Sequence, residues 1–199
     1  MPDAILLAEA EADEADRLAA ALDRAGVDAE LRVQAEPVRD GAAAGLGPGV
    51  AVLSVFVGSR VGDEVLAACP DLRLVATRST GFDHVDLAAC AARGVAVANV
   101  PSYGDNTVAE HTFALILALS RNLHTAWLRT QRGDAASLGA LVANELLAGR
   151  EDVVVTPHIG FDSAEAVERI AEVTAGNVAA FLAGRPHNLV GEPPPAAVR

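Results

Sequence analysis

The chain has no lysine; all fifteen of its basic residues are arginine. That absence excludes a Schiff-base mechanism and a phosphate-binding loop whose lysine grips terminal phosphates. Aromatic residues supply 4% of the 199 positions while 51% are apolar, so the core must be aliphatic. The two cysteines, Cys69 and Cys90, stand apart with no C-x-x-C spacing. They read as free thiols in a reducing compartment, with no metal site. Long hydrophobic runs are missing too: "FALILAL" at 113–119 is too short to span a bilayer. The start "MPDAILLAEA" is too acidic, and its apolar run too short, for a signal peptide. A cytoplasmic protein with no membrane partner is expected. Positive charge is scarce, and the formal net charge is -12. This argues against nucleic acid and against anionic membranes as partners. The first forty residues hold eleven acidic groups against four arginines, a pattern expected of the solvated face of a helix.

What is present is a regular alternation. "AILLA" at 4–8 reads as a buried strand. Ala15, Leu18, Ala19 and Leu22 then mark one face of a helix that stops near Gly26. "VDAELRV", "VAVLSVFV" at 50–57, "LRLVAT" and "VAVAN" read as four further strands. Short helices are expected at 61–68 and from Leu87 to Arg93, the second with Asp86 as N-cap and Gly94 as stop. Five strands separated by helical segments describe an α/β fold with an open, doubly wound parallel sheet covered on both faces. "NTVAEHTFALILALSRNL" then predicts a long helix, apolar nearly all round, of the kind buried between two bodies. "ALVANELLAG" is a further helical piece, and "VVV" at 153–155 a strand. A final helix is expected to start at an Asp162 cap with Glu165 three residues on. Its buried stripe would be Val167, Ile170, Ala171, Thr174, Val178, Phe181 and Leu182.

Ligands of an open parallel sheet bind outside the carboxyl ends of its strands. Three loops lie there: "VGSR" at 57–60, "TRSTGFDH" at 77–84 and "VPSYGDN" at 100–106. The second has a central glycine and a helix soon after, so its backbone N–H groups can form a concavity for a carboxylate. Tyr103 can donate a hydroxyl from the third. The same residues also fit a plain turn and a half-buried edge residue. "GLGPG" at 45–49 is no dinucleotide loop, because Val50 stands where a sixth-position glycine is required and the segment precedes a strand. Of the five histidines, His111, His124 and His187 read as packing or surface residues, and His84 as a local hydrogen-bonding group. His158 alone stands at a strand end with a helix following, where an acid/base catalyst can sit if partners are supplied.

Two segments carry a resemblance. "RSTGFDHVDLAACAARGVAVANVPSYGDNTVAEHTFALILALSR" (78–121) and "NELLAGREDVVVTPHIGFDSAEAVERIAEVTAGNVAAFLAGRPHNLV" (144–190) resemble the D-isomer-specific 2-hydroxyacid dehydrogenases, in particular the D-lactate dehydrogenase-like branch. The resemblance implies a flavodoxin-like five-stranded substrate domain built from both chain ends, 1–105 with 162–190. It also implies an interdomain helix and the remnant of a Rossmann nucleotide domain over 106–161; "GEPPPAAVR" at 191–199 reads from its composition as a flexible tail. The resemblance makes Thr80 and Gly81 the carboxylate-binding residues, Tyr103 a substrate contact and His158 the proton donor to the carbonyl of a small 2-oxoacid, or the base on a 2-hydroxyacid. NAD is the cofactor it implies.

The chain departs from the pattern between Gly133 and about Leu141, where the family carries more than a hundred residues. No G-x-G-x-x-G follows a strand, and the family's catalytic arginine and glutamate fall in the missing block. Arg93 belongs to the substrate-domain helix and turn, and Glu145 matches a segment downstream of the glutamate. The strand 153–155 is thereby an orphan of the nucleotide sheet. An isolated chain inactive in hydride transfer is expected, with a separate nucleotide domain acting in trans as the route to activity. A freestanding 2-oxoacid or 2-hydroxyacid-binding module and a deletion product without activity are the alternatives. The face that the missing domain would have packed against is expected to be covered by another chain, as a homodimer through the apolar helix 106–122, or by a repacked C-terminal segment; the outcome expected is a homodimer or a strongly aggregating monomer.

Overall fold

A computed structural model describes residues 4–41, 46–121, 123–124, 160 and 162–191. The expected helical piece at 140–149, the strand 153–155 and His158 lie outside these residues. Packing divides the chain into two units. One holds the residues up to Tyr103 and those from Val167 onward, and the other is Gly104–Ala166.

The first unit is built on a five-stranded, all-parallel sheet in the order β2-β1-β3-β4-β5. The strands are β1 (Ala4–Ala8), β2 (Glu30–Gln34), β3 (Val50–Val55), β4 (Leu74–Thr77) and β5 (Ala96–Ala98). Every residue of β1, β3, β4 and β5 is buried, as a strand covered on both faces requires. Alternation divides their side chains between two cores. Leu6, Leu53, Val55, Val75 and Val97 point to one, where α2 (Asp63–Ala68) contributes Val65 and Leu66, and α3 (Leu87–Ala92) contributes Cys90. Ile5, Leu7, Val52, Leu74 and Ala96 point to the other. There α1 (Ala12–Arg24) places Leu18 and Leu22, and α5 (Ala164–Leu182) places Ala171, Ala175 and Val178.

Helix ends follow local chemistry. Gly26 and Gly94 take φ values of 73° and 72°, the left-handed conformation that ends α1 and α3. Asp86 caps α3 by accepting the Ala89 N–H at 2.9 Å. The capping of α5 differs from expectation. Ser163, not Asp162, accepts the Ala166 N–H, at 3.2 Å, and the position three residues beyond Ser163 is alanine, so no capping box forms. The buried stripes also differ: Ala21, not Ala19, is buried in α1, while in α5 Val167, Phe181 and Leu182 are only partly buried and Ala166, Ala175 and Asn177 are buried.

In the second unit, α4 (Asp105–Ser120) has no buried residue. Val108, Phe113, Ile116 and Leu117 are each about half exposed or more. The side chains of this apolar helix are thus largely open to solvent. No described helix is long and apolar enough to cross a membrane.

Candidate functional site

Strand order brings three loops to one place. The order in which strands are added reverses between β1 and β3, and a crevice is expected at the carboxyl ends beside that point. A cavity of about 400 Å³ lies there, lined by Arg39 after β2, by Val57, Gly58, Ser59 and Arg60 after β3, and by Gly81, Asp83 and His84 after β4. Its frame is a set of bonds between loops distant in sequence. Glu9, immediately after β1, accepts the Gly58 N–H at 2.8 Å and the Ser59 hydroxyl at 2.9 Å. Ser59 Oγ accepts the Val38 N–H at 3.2 Å, and the Arg60 N–H donates to the Val38 carbonyl at 2.8 Å. Glu9 holds a left-handed φ of 57°, uncommon for a residue with a Cβ, and its two carboxylate bonds help to keep it there.

Beneath the loops lies Arg78, 1% exposed. Its guanidinium donates to Glu14 Oε1 (2.8 Å), Ser54 Oγ (3.3 Å), the Ala8 carbonyl (3.1 Å) and the Glu9 carbonyl (2.6 Å). Burial pulls Arg78 below the usual arginine range, and Glu14 opposes that pull. An arginine so bonded stays charged. It ties the end of β4 to β1, β3 and α1, and so fixes the floor on which the loops stand.

The 79–84 loop is ordered by a chain of hydroxyls. Ser79 Oγ donates to the Gly81 carbonyl at 2.7 Å. Its only proton is thus used, so Thr77 Oγ1 donates to Ser79, and Thr77 in turn accepts from His84 Nε2 at 3.2 Å. This assigns the Nε2–H tautomer to His84. Burial holds the His84 pKa below its ordinary value, with Arg60 acting in the same direction and Asp83 and Glu9 against it. A histidine whose folded pKa is depressed binds its proton more readily when unfolded. Its stabilising contribution is therefore complete above about pH 6.5 and declines as pH falls below that value. His84→Gln retains an amide donor and does not titrate. Urea midpoints at pH 7.5 and 5.5 should show a smaller acid loss in H84Q than in the unsubstituted chain. Equal losses would contradict this assignment.

The expected site residues divide. Gly81 lines the cavity, with exposed Thr80 beside it. Among the described residues, the backbone N–H groups of Thr80 and Gly81 meet no hydrogen-bond acceptor. The Thr80 hydroxyl is turned away, donating to the Val100 carbonyl at 3.0 Å. Tyr103 is half-buried and is not among the residues lining the cavity. Its carbonyl accepts from Arg169 at 2.6 Å, and burial raises its phenol pKa. His158 lies outside the described residues. Glu9, Arg39 and Arg78 are the residues that sequence reasoning missed. Only Arg78 carried a signal, a lone charge interrupting a buried run.

Other chemistries find no support here. Cys69 and Cys90 are buried, and burial pushes the Cys90 thiol up to about 11. No described cluster of histidine, cysteine and carboxylate side chains is placed to hold a metal ion. The described sheet does not fit a dinucleotide either. The turn from β1 into α1, where a pyrophosphate would lie, has no glycine and carries Glu9, Glu11, Asp13 and Glu14.

The profile of a family described as D-isomer specific 2-hydroxyacid dehydrogenase, catalytic domain, matches residues 5–191. The chain is 37% identical over 133 residues to a 2-hydroxyacid dehydrogenase homolog of Haemophilus influenzae, covering 65% of this chain and 38% of that protein. It is 42% identical over 113 residues to D-3-phosphoglycerate dehydrogenase of Mycobacterium tuberculosis, covering 56% and 21%. D-lactate dehydrogenase from Aquifex aeolicus, solved with NAD and lactic acid, superposes with a TM-score of 0.55 at 31% identity, covering 71% and 41%. The matched regions thus span less than half of each of these relatives.

Proposed function

The chain belongs to the D-isomer-specific 2-hydroxyacid dehydrogenase family, and from that premise we propose that its sheet unit is a substrate-binding domain for small 2-oxo and 2-hydroxy carboxylates. One observation carries the reading: the adjacent N–H groups of Thr80 and Gly81 meet no acceptor among the described residues and stand beside a cavity at the carboxyl ends of β3 and β4. Two such groups directed at one carboxylate make charge-assisted hydrogen bonds without a cation. The relative from Aquifex aeolicus, solved with lactic acid, supports a ligand of this size.

On the same reading, His158 gives a proton to the carbonyl oxygen when a 2-oxoacid is reduced and takes one from the hydroxyl in the reverse direction. NAD supplies the hydride chemistry in this family. Because the described sheet does not fit it, the dinucleotide would be held by a domain contributed separately, and binding is the activity expected of the chain alone. Tyr103 is proposed as a substrate contact of that complete assembly.

Titration of the isotopically labelled chain with pyruvate and with D-lactate tests the binding step. The Gly81 amide is expected to shift at millimolar ligand. If neither acid moves the Gly81 or Tyr103 amide, the reading fails.

A further inference from the structure

A chain of side-chain bonds joins His84 to the turn assigned to the carboxylate. His84, 7% exposed, donates from Nε2 to Thr77 Oγ1 at 3.2 Å. Thr77 donates to Ser79, and Ser79 Oγ donates to the Gly81 carbonyl at 2.7 Å. The backbone of His84 is held as well, its carbonyl accepting the Val61 N–H at 2.9 Å. Ring and backbone are thus fixed, and the lone pair is left on Nδ1. Nδ1 makes no hydrogen bond among the described residues and is not sealed in the interior. His84 lines the cavity with Gly81, so a group bound there is what Nδ1 can meet. Protonation of Nδ1 would add a donor and a charge without breaking the bond from Nε2, so the turn keeps its frame in both states.

The surrounding charges decide when that proton is held. Arg60 after β3 and Arg39 after β2 line the same cavity, and Arg60 disfavours a further cation. Asp83, the neighbour of His84 in sequence, and Glu9 after β1 favour one, but Glu9 already serves Gly58 and Ser59. Arg78, beneath the loops, is paired with Glu14. Burial tips the balance, so the ring is neutral at pH 7.5 in the free chain. A carboxylate on the turn brings a negative charge to the open side of the ring and turns the balance toward imidazolium. We propose that His84 is a proton-linked binding residue: a carboxylate seated on the Thr80–Gly81 turn takes up a proton from solvent with it, and the imidazolium so formed donates from Nδ1 to the bound anion. This rests on the carboxylate-binding reading of that turn and adds a binding group to it. The ring holds its proton more firmly in the complex than in the free chain. Carboxylate affinity therefore rises as pH falls through the titration midpoint of the complex and levels off below that of the free chain.

The test is an NMR titration of the full chain with D-lactate at pH 7.5 and 5.5 and constant ionic strength. The ligand carboxylate stays ionised at both values. The Kd read at the Gly81 amide is expected to fall about fivefold at the lower pH, the change that a rise of about one unit in one group's pKa produces. The His84 ring should also titrate at a higher pH with saturating D-lactate than without it. In H84Q the two Kd values should agree within about twofold, while H158Q should keep the fall of the unsubstituted chain. The spectrum of each free variant at both pH values verifies its fold. Equal Kd values at the two pH values in the unsubstituted chain, with Gly81 shifting, would overturn this proposal and leave the carboxylate reading standing. A pH dependence that survives in H84Q and disappears in H158Q would overturn it too, by moving the coupling to His158. If H84Q does not fold, the ring titration decides: a His84 midpoint unmoved by D-lactate overturns the proposal. No shift at Gly81 at either pH would overturn the carboxylate reading and the proposal with it.

Discussion

Arg78→Ala is expected to destabilise the chain by about 3–5 kcal/mol, the range for removing one member of a buried, hydrogen-bonded ion pair. For a chain of this length that corresponds to a fall in midpoint of roughly 6–20 °C. The size follows from the number of groups served. The guanidinium meets Glu14, Ser54 and the carbonyls of Ala8 and Glu9, and it packs over the Phe56 ring. Alanine leaves these acceptors without donors and opens a space at the junction of β1, β3, β4 and α1. Glu14 is about one-third exposed and can turn to water, so the cost is concentrated in the two carbonyls and the lost packing. Arg78→Lys should recover only part of it, because an ammonium lacks the planar fork that reaches several acceptors at once. A loss below about 1 kcal/mol in urea unfolding of R78A would mean that Arg78 is not the tie described here.

The same substitution should weaken carboxylate binding in whatever fraction stays folded. Arg78 holds the Glu9 carbonyl, and the Glu9 carboxylate holds Gly58 and Ser59. A Cβ added at Gly58 would meet Glu9 Oε1, so the Glu9 carboxylate would have to shift. Loop, acid and arginine therefore move together or not at all.

The fold was legible in the sequence because a doubly covered parallel sheet writes itself as uninterrupted runs of valine, leucine and alanine, as in "AILLA" and "VAVLSV". Glycines at 26 and 94 marked the helix ends. The α5 cap was displaced by one residue because Asp162 and Ser163 are both competent caps and only the backbone path chooses between them. The 79–84 loop was visible as a glycine turn after a strand. Its partners were not. Glu9 and Gly58 are 49 residues apart, and Arg78 and Glu14 are 64 apart. No local pattern joins residues at such separations; the strand order brings them together. Arg39 sits in a loop without periodicity, and only the lacing of Val38 to Ser59 and Arg60 places it at the cavity.

Asn177→Ala is expected to cost about 2–4 kcal/mol, from two partners that lose their hydrogen bonds inside the fold. Asn177, 1% exposed on α5, donates to the Asn99 carbonyl at 2.9 Å and accepts from Asn188 Nδ2 at 2.9 Å. Asn188 holds a left-handed φ of 52°, and its carbonyl accepts the Asn99 N–H at 3.1 Å. Asn99 Nδ2 donates to the Thr80 carbonyl at 2.8 Å. The triad thus joins α5 and the 188–190 segment to β5, and through Asn99 it braces the turn assigned to the carboxylate. N177A should lower the urea midpoint and also raise the Kd for D-lactate, although Asn177 is not among the residues lining the cavity. A lowered midpoint with unchanged affinity would confine the triad to stability. Asn177→Asp separates the two halves of the argument. An ionised aspartate can accept from Asn188 but cannot donate to Asn99, and burial raises the pKa of an unpaired carboxyl. With its folded pKa above the unfolded value, N177D is most stable relative to the unsubstituted chain when protonated. Its deficit should be greatest at pH 7 and shrink as pH falls toward about 4, because a protonated carboxyl regains the donor that Asn99 requires. A deficit independent of pH over that range would show that the donated bond to Asn99 does not hold α5 in place.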